Sequence, residues 1–328
     1  MSLEPVYFDE ERRSFTVGAK VAVLGYGSQG HAQALNLRDS GLNVSVANVE
    51  DEYRKRAERD GFDVLDFSAA VDDADFTLLL VPDHAQPDVY KVIEPKLKPG
   101  SMLIVSHGYS IHFGSVVPSK LLDVAILAPR MPGKPIRESY LAGTGIPAFY
   151  GVIADVSGNC EELLLSIADN IGYTKKGVLP TTVKEETEVD LFIEQFLLPN
   201  LIHLLECSFE FLVDKGVSEE VAHMEVYSSG ELADLLKIAA DEGLHEAWRN
   251  HASPTCRFGI YEGLKRCQSQ IFFEKEMQET LTDIRSGQFT KRLSDEYSNG
   301  LPKLNGFDKN NAIKQIAKTQ SKINEFFG

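Results

Sequence analysis

The segment Lys20–Asn36, KVAVLGYGSQGHAQALN, constrains the fold more than any other part of the chain. A short apolar run, Val21–Leu24, leads into a GxGxxG turn that continues directly into a helix-forming sequence. In such a turn the first glycine bends the chain tightly, the second lets a pyrophosphate approach the backbone, and the third lets the helix pack closely on the strand. A purely structural glycine turn is the alternative, but the flanking strand and helix favour a dinucleotide site. We therefore predict cofactor contacts from Gly25, Tyr26, Gly27, Ser28, Gln29 and Gly30.

The first half of the sequence alternates between short β-rich runs and charged, helix-compatible segments. After the first strand, the apolar runs are Val44–Val49, Phe76–Val81, Met102–Ser106, Val124–Leu127 and Pro147–Ile153. Segments such as Asp51–Asp60 and Val89–Leu97 lie between them. Strands that alternate with helices predict a doubly wound parallel sheet, a Rossmann-type α/β domain over residues 1–182.

The pattern changes near Thr181-Thr182, after which almost no β-alternation remains. Apolar residues now recur at helical spacing, for example Leu191, Phe192 and Phe196, so we predict an all-helical second domain over residues 183–328. Breaker clusters at 251–254 and 298–302 predict interruptions between helices.

Charge, cysteine content and hydropathy bear on the partners and the cellular compartment of the protein. Lys+Arg of 33 against Asp+Glu of 49 gives a net charge of −16, which disfavours nucleic acid and an anionic membrane surface as partners. The cysteines form no CxxC pair and are interpreted as reduced thiols: Cys160, Cys207, Cys256 and Cys267. The sequence shows no apolar run of membrane-spanning length and no signal peptide, so we expect a cytoplasmic protein without a membrane partner.

Two loops follow predicted strands at their carboxyl ends, where open α/β sheets bind ligands. The first contains Pro82 and Asp83, and the second is Ser106–Gly114. His107 follows a strand and precedes a glycine, so we expect it to face the cofactor crevice and to move a proton or position a substrate. A solvated loop histidine is the alternative.

An acidic cluster opens the helical half, with Glu185, Glu186, Glu188, Asp190 and Glu194 within ten residues. Asp190 and Glu194 are four residues apart, so both carboxylates project from one helix face and could share a hard divalent cation. A solvated acidic face at a helix N-terminus is the alternative reading of the same spacing.

Four ordered motifs carry a family resemblance: GYGSQGHAQALNLRDSG, HGYSIHFG, APRMPGKPIRESYLAGTGIPAF and KEETEVDLFIEQ. Over nearly the whole chain they resemble the short-chain class of ketol-acid reductoisomerase. The resemblance implies a Rossmann domain followed by a knotted all-helical domain, in a homodimer or higher homo-oligomer with shared active sites. It also implies Mg²⁺-dependent alkyl migration in a small 2-hydroxy-3-keto acid such as 2-acetolactate. Reduction by NAD(P)H would follow, in branched-chain amino-acid biosynthesis.

The resemblance also assigns roles to individual positions. Asp190 and Glu194 match the magnesium carboxylates and count among the catalytic groups, together with His107 and Arg130, the latter standing where the family usually has lysine. Ser253 falls on a substrate-contacting serine. The remaining assignments are Glu231 as a metal ligand and Glu50, Pro82, Asp83, His107 and Gly133 as cofactor contacts.

Some positions depart from the family pattern. An ungapped match puts Tyr227 on the first of a second pair of glutamates, where a neutral phenol is a poor Mg²⁺ ligand, and Met131 replaces a glycine. Glu225 lies two residues from Tyr227, on roughly the opposite side of the helix, so Asp234, which shares a face with Glu231, is the better substitute. On this alignment Tyr227→Glu would raise the isomeroreductase activity. Two alternatives follow: an NAD(P)H-dependent 2-keto acid reductase with impaired isomerisation, and a non-catalytic dinucleotide-binding protein.

The choice of nicotinamide depends on the residues after the second strand. Glu50 and its acidic neighbours accept from a ribose 2′-hydroxyl and repel a 2′-phosphate, which favours NADH over NADPH. Arg54 is the competing feature, because it could turn back to hold a phosphate.

Overall fold

The computed structural model describes residues 4–266, 270–312 and 314–327; Cys267 lies outside these ranges. Contacts within the chain divide it into two compact units, Met1–Val189 and Asp190–Gly328.

A mixed sheet forms the centre of the first unit. Within the described residues it has eight strands in the order β3-β2-β1-β4-β5-β6-β7-β8. Their bounds are β1 Lys20–Leu24, β2 Asn43–Ala47, β3 Val64–Leu65, β4 Phe76–Leu79, β5 Met102–Val105, β6 Asp123–Pro129, β7 Ala148–Ala154 and β8 Val178–Pro180. All neighbouring pairs are parallel except β6 and β7, which are antiparallel, and the predicted doubly wound parallel-sheet domain is confirmed. The sequence pattern also missed β3 and β8, which are only two and three residues long.

Helices cover both faces of this sheet. Alternate residues of β1 belong to two different apolar clusters, Val21 and Val23 to one and Ala22 and Leu24 to the other. Because successive strand side chains point to opposite faces, this division confirms a doubly covered sheet. The helices are α1 Glu10–Arg13, α2 Ser28–Asp39, α3 Glu52–Arg59, α4 Phe67–Ala70, α5 Gln86–Ile93, α6 Tyr109–His112, α7 Gly133–Ala142 and α8 Cys160–Ile171.

The second strand ends two residues earlier than predicted. Its neighbour Asn48 turns out of the ladder, because its side-chain oxygen accepts from the Tyr26 N–H at 2.9 Å. The Asn48 amide donates to Asp51, which in turn caps α3 by accepting from the Tyr53 and Arg54 N–H groups. The glycine turn and the end of β2 are thereby tied together.

The described part of the second unit contains helices and no named strand. The helix α9, Val183–Phe192, begins before the boundary at 189 and continues through a π turn, Ile193–Leu197. The helices that follow are α10 Leu198–Asp214, α11 Glu219–His223, α12 Glu231–Glu242, α13 Leu244–His251, α14 Pro254–Arg266, α15 Gln270–Arg285, α16 Gln288–Ser298, α17 Pro302–Ala312 and α18 Gln315–Phe327. Both predicted breaker clusters separate consecutive helices, α13 from α14 and α16 from α17.

Apolar side chains on the second unit are unusually exposed. Among the described residues, the helical stretch Val183–Asp214 is long and apolar enough to cross a membrane by length and composition alone, and its apolar window is only 6% buried. The expectation that no segment has this property was therefore wrong. A helix that is covered in a soluble protein passes the same test. The stretch also carries the charged residues Asp190 and Glu194.

Candidate active site

The glycine turn has the backbone geometry that a phosphate site requires. Gly25 has φ of 99°, and a Cβ on it would lie 2.8 Å from the Val81 nitrogen. A Cβ on Gly30 would lie 1.8 Å from the Gly25 oxygen, so helix and strand meet too closely for any side chain there. A Cβ on Gly27 would meet nothing within 4 Å. The first and third glycines are required by packing, whereas the second leaves open space for a ligand.

The start of α2 offers backbone N–H groups, since its N-cap residue, Gly27, provides no capping side chain. The side chains of Ser28 and Gln29 bind a neighbouring loop instead. The Gly133 N–H donates to Ser28 Oγ at 3.0 Å, and Gln29 Nε2 donates to the Met131 oxygen at 2.9 Å. A Cβ on Gly133 would meet the Ser28 oxygen at 1.8 Å, so the two loops touch through backbone.

The Tyr26 side chain is fully buried beside the turn. Its hydroxyl donates to Asp60 Oδ2 at 2.9 Å, and its ring packs edge-on against Phe62 and His31. Tyr26 can therefore contribute to a cofactor site only through its backbone.

The acidic residue predicted to select the cofactor lies in solvent. The Glu50 side chain is 85% exposed and pairs with Arg54 Nε at 2.9 Å. Arg54 also donates to the Asn48 and Val64 carbonyl oxygens at 3.1 and 2.9 Å. These bonds hold the Arg54 guanidinium against neighbouring backbone oxygens and Glu50, so it does not turn toward a ligand.

A pocket of about 400 Å³ adjoins the start of α2. The basic side chains of Arg56, Lys134 and Arg137 line it, together with His31 and Glu138. Burial, followed by the charge of Arg56, lowers the pKa of His31. The pocket can attract an anionic ligand, which makes Arg56 the basic residue to test for a 2′-phosphate.

Pro82 and Asp83 lie immediately beyond the point where Gly25 approaches Val81. Pro82 is exposed, and Asp83 accepts from Gln86 at 3.2 Å through its side chain. The Asp83 carbonyl accepts from Ser110 Oγ at 3.3 Å. These bonds link the two predicted ligand loops at the carboxyl edge of the sheet.

A buried carboxylate organises this edge. Glu186, whose side chain is fully buried, lies 3.3 Å from His107 Nδ1 and accepts from Arg130 Nη2 at 3.0 Å and from the Gly108 N–H at 2.9 Å. The histidine and the arginine come from different loops after β5 and β6, and α9 supplies the carboxylate. One side chain therefore fixes the positions of both predicted catalytic groups.

The close approach of this loop to α9 depends on Gly108. A Cβ there would meet Thr187 Oγ1 at 2.5 Å and Val183 Cγ2 at 2.6 Å. With no side chain in the way, the Gly108 N–H reaches the Glu186 carboxylate.

The charge balance at Glu186 favours the ionised form. Burial alone would raise the pKa of Glu186, but the hydrogen bond and charge of His107, the Gly108 N–H and Arg130 together lower it. The carboxylate is thus a stable anion between two basic groups.

The sequence reasoning placed Glu186 in the acidic cluster without giving it a role. One signal could have identified it: Glu186 precedes Asp190 by four residues, so the two carboxylates lie on the same face of α9. What the sequence did not reveal is that the His107 loop packs onto this helix.

In the second unit, Asp190 is half-buried and Glu194 is exposed. Glu194 lies in the π turn Ile193–Leu197, which widens the helix at this point. Such π turns occur frequently at functional sites. Both donors are carboxylate oxygens, the chemistry that Mg²⁺ prefers.

A second π turn, Met224–Ser228, contains Glu225 and Tyr227. The Tyr227 hydroxyl is 2.9 Å from His223 Nε2 and donates to Gln320 Oε1 at 2.8 Å. His223 itself is fully buried. Tyr227 is therefore part of an inward-facing polar network, and its alignment with the first glutamate of the family's second pair stays a prediction.

The sequence argument about Glu225 assumed one continuous α-helix. The chain between Glu225 and Glu231 is not a continuous α-helix, since a π turn and Gly230, with φ of 85°, interrupt it. Both glutamates are exposed. The relative directions of the Glu225 and Glu231 side chains therefore cannot be taken from an α-helical wheel.

Ser253 lies in the predicted break and is exposed. Its Oγ accepts from the Cys256 N–H at 3.2 Å, so it caps α14.

Comparisons with known proteins agree across the chain. Residues 16–177 match the family model "Acetohydroxy acid isomeroreductase, NADPH-binding domain", and residues 183–327 match "Ketol-acid reductoisomerase, C-terminal domain". A ketol-acid reductoisomerase (NADP(+)) of Petrotoga mobilis is 41% identical over 305 residues, 91% of each chain.

Solved structures give the same result. An NADH-preferring ketol-acid reductoisomerase from an uncultured archean matches with a TM-score of 0.91 and 31% identity over 99% of each chain. A semialdehyde dehydrogenase NAD-binding protein from Cupriavidus necator has a TM-score of 0.60 and 19% identity over 82% of this chain and 100% of that one, and this likeness shows the fold alone. The resemblance predicted from the four motifs is confirmed, and the chain belongs to the ketol-acid reductoisomerase family.

Proposed function

We propose that this chain performs both steps of its family's reaction with the residues described above. As a ketol-acid reductoisomerase it uses NAD(P)H and Mg²⁺ and acts on a small keto acid in branched-chain amino-acid biosynthesis. The observation that carries the residue assignment is the buried Glu186, which holds His107 and Arg130 at one edge of the sheet.

The dinucleotide fits the glycine turn because Gly27 faces open space and the start of α2 lacks a side-chain cap. We assign the pyrophosphate to the backbone N–H groups there. When bound, the nicotinamide supplies the hydride for the reduction. We further assign Pro82, Asp83 and Gly133 to the walls of this site, since each lies in a loop that touches the turn or its neighbours.

We assign Mg²⁺ to Asp190 and Glu194, whose hard oxygen donors suit that ion. When bound, the metal polarises the substrate's oxygens for the alkyl shift. Glu231 remains a proposed ligand, and we add Glu225, because both glutamates are exposed on either side of the interrupted helix.

His107 and Arg130 handle the substrate's charge and protons. Because the Glu186 carboxylate engages His107 Nδ1, it fixes the ring, and we assign Nε2 to proton exchange with the substrate. Arg130 holds a positive charge beside developing oxyanions. Ser253 remains a proposed substrate contact at the start of α14.

We propose a homodimer or higher homo-oligomer with shared active sites. Large apolar side chains on α10 are exposed, including Ile202, Leu204 and Phe211. Large exposed apolar side chains of this kind are typical of an interface, and a second copy is the partner that we propose covers them. The chain is soluble, and we place it in the cytoplasm, with a domain boundary between residues 182 and 183.

For the cofactor we propose a preference for NADH, because Arg54 is held by Glu50, Asn48 and Val64. Direct dissociation constants for NADH and NADPH test this. Tighter NADPH binding that is lost in Arg56→Gln but kept in Arg54→Gln would overturn it and assign the phosphate to the cationic pocket.

A magnesium titration of 2-acetolactate turnover tests the proposed function. Asp190→Asn should abolish saturable Mg²⁺ dependence, whereas Glu185→Gln, an exposed acid on the same helix, should leave it intact. Equal Mg²⁺ dependence of the two variants would remove Asp190 from the metal site.

A further inference from the structure

We propose that Phe149 is a positioning residue that orients Arg130, and that this contact makes arginine, not lysine, the required residue at position 130. The inference rests on the proposed role of Arg130 in the active site. It concerns the departure of this chain from the family's usual lysine.

Backbone pairing brings the two residues together. The antiparallel strands β6 and β7 pair Ala128 with Phe149 and Pro129 with Ala148. Arg130 follows β6, and its N–H donates to the Pro147 oxygen at 3.1 Å. The arginine thus leaves the sheet beside the Phe149 ring.

The Arg130 guanidinium lies over the Phe149 ring. The Arg130 Cζ lies 5.0 Å from the centroid of the Phe149 ring, within the range of a cation–π contact. Phe149 is half-buried and packs against the apolar cluster on its side of the sheet, so its ring is held in place.

Glu186 supplies the second constraint, through the 3.0 Å bond from Arg130 Nη2 to Oε1. The carboxylate binds one nitrogen of the guanidinium and the aromatic ring lies under its carbon, so the two contacts together restrain its orientation. A lysine ammonium is a point charge without a plane, so the same two neighbours could hold its position but not an orientation.

A double-mutant cycle tests the proposal. Phe149→Leu, which keeps an apolar side chain, should lower kcat for 2-acetolactate about five- to tenfold, while Phe149→Tyr should stay near the wild-type value. Arg130→Lys should also lower kcat. In the Arg130→Lys background, Phe149→Leu should change kcat by no more than roughly twofold, because the contact is already lost. An equal fold-decrease in kcat on Phe149→Leu in both backgrounds would overturn the proposal.

A spectroscopic measurement separates positioning from general packing. Protons of Arg130 that lie over the Phe149 face should show an upfield ring-current shift in selectively labelled full-length protein. The shift should persist in Phe149→Tyr and disappear in Phe149→Leu, with an unchanged Tm in both. Absence of the shift in the wild type would contradict the contact itself. Unchanged turnover in Arg130→Ala would instead refute the proposed catalytic role of Arg130, independently of the shift.

Discussion

The two units of the chain differ in whether their candidate functional side chains are buried with partners or exposed to solvent. In the first unit the buried carboxylate of Glu186 has its partners within the same unit, and the sheet has an apolar cluster on each face. In the second unit Glu194, Glu225 and Glu231 are exposed, as are large apolar side chains of α10. The difference teaches that the groups proposed for reduction have their partners within one chain, whereas the proposed metal ligands and the apolar surface of the helical unit are open to further partners.

The largest effect we expect is at Glu186, which defines the first unit's site. Glu186→Ala removes the group that orients His107 and Arg130, and misplacement of catalytic groups by about 1 Å can cost roughly hundredfold in rate. We expect a loss of that order in kcat, measured with 2-acetolactate. Glu185→Ala, one residue earlier and exposed, is the control. Similar rates for the two variants would show that the buried carboxylate does not organise the site.

The next effect concerns the second unit's exposed surface. Phe211→Asp places a charge on a side chain that is 61% exposed within one chain, and we expect it to reduce assembly and turnover together. Sedimentation analysis and a turnover assay over a dilution series measure both. The control is Leu141→Asp on the first unit, where the leucine is 67% exposed. If both variants sediment like the wild type, the α10 surface is not the interface.

A smaller effect is expected at Tyr227. Tyr227→Phe removes the hydroxyl that joins His223 to Gln320, and loss of such a bond costs about 1 kcal/mol of unfolding free energy. Urea denaturation measures it. Tyr227→Glu should not raise isomeroreductase activity, in contrast to the expectation from the ungapped alignment. A rise would support the alignment of position 227 with the first glutamate of the family's second pair.

The smallest effect is the acid dependence of stability. The pKa of Glu186 is lowered below its ordinary value of 4.5, since its basic neighbours outweigh the burial. The native state therefore binds this proton less readily than the unfolded state does. Its contribution is fully present above about pH 4.5 and is lost as the pH falls through the lowered native pKa. The unfolding free energies of the wild type and of Glu186→Gln should converge at low pH. A constant difference between them down to pH 3 would contradict this.

The glycine turn, the alternation of strands and helices, and the helical breaks could be predicted because each depends on local sequence. Gly25 adopts a positive φ of 99°, and a Cβ on Gly30 would meet the Gly25 oxygen within the turn itself. The antiparallel β6–β7 pair could not be predicted, since apolar alternation carries no strand direction.

The parts of the site that sequence reasoning missed depend on long-range packing or on irregular helices. The role of Glu186 depends on the packing of α9 against His107, which lies 79 residues away in sequence. The π turn at Met224–Ser228 could not be predicted either, because a helical wheel assumes 3.6 residues per turn and a π turn changes that phase.

The most direct test of the division between the two units compares two substrates in Asp190→Asn. This variant should fail to convert 2-acetolactate while still reducing the already isomerised 3-hydroxy-2-keto acid, whereas the wild type should turn over both. If Asp190→Asn converts 2-acetolactate at the wild-type rate, or if the wild type reduces only the isomerised acid, the assignment of the alkyl shift to the carboxylates of the second unit is contradicted.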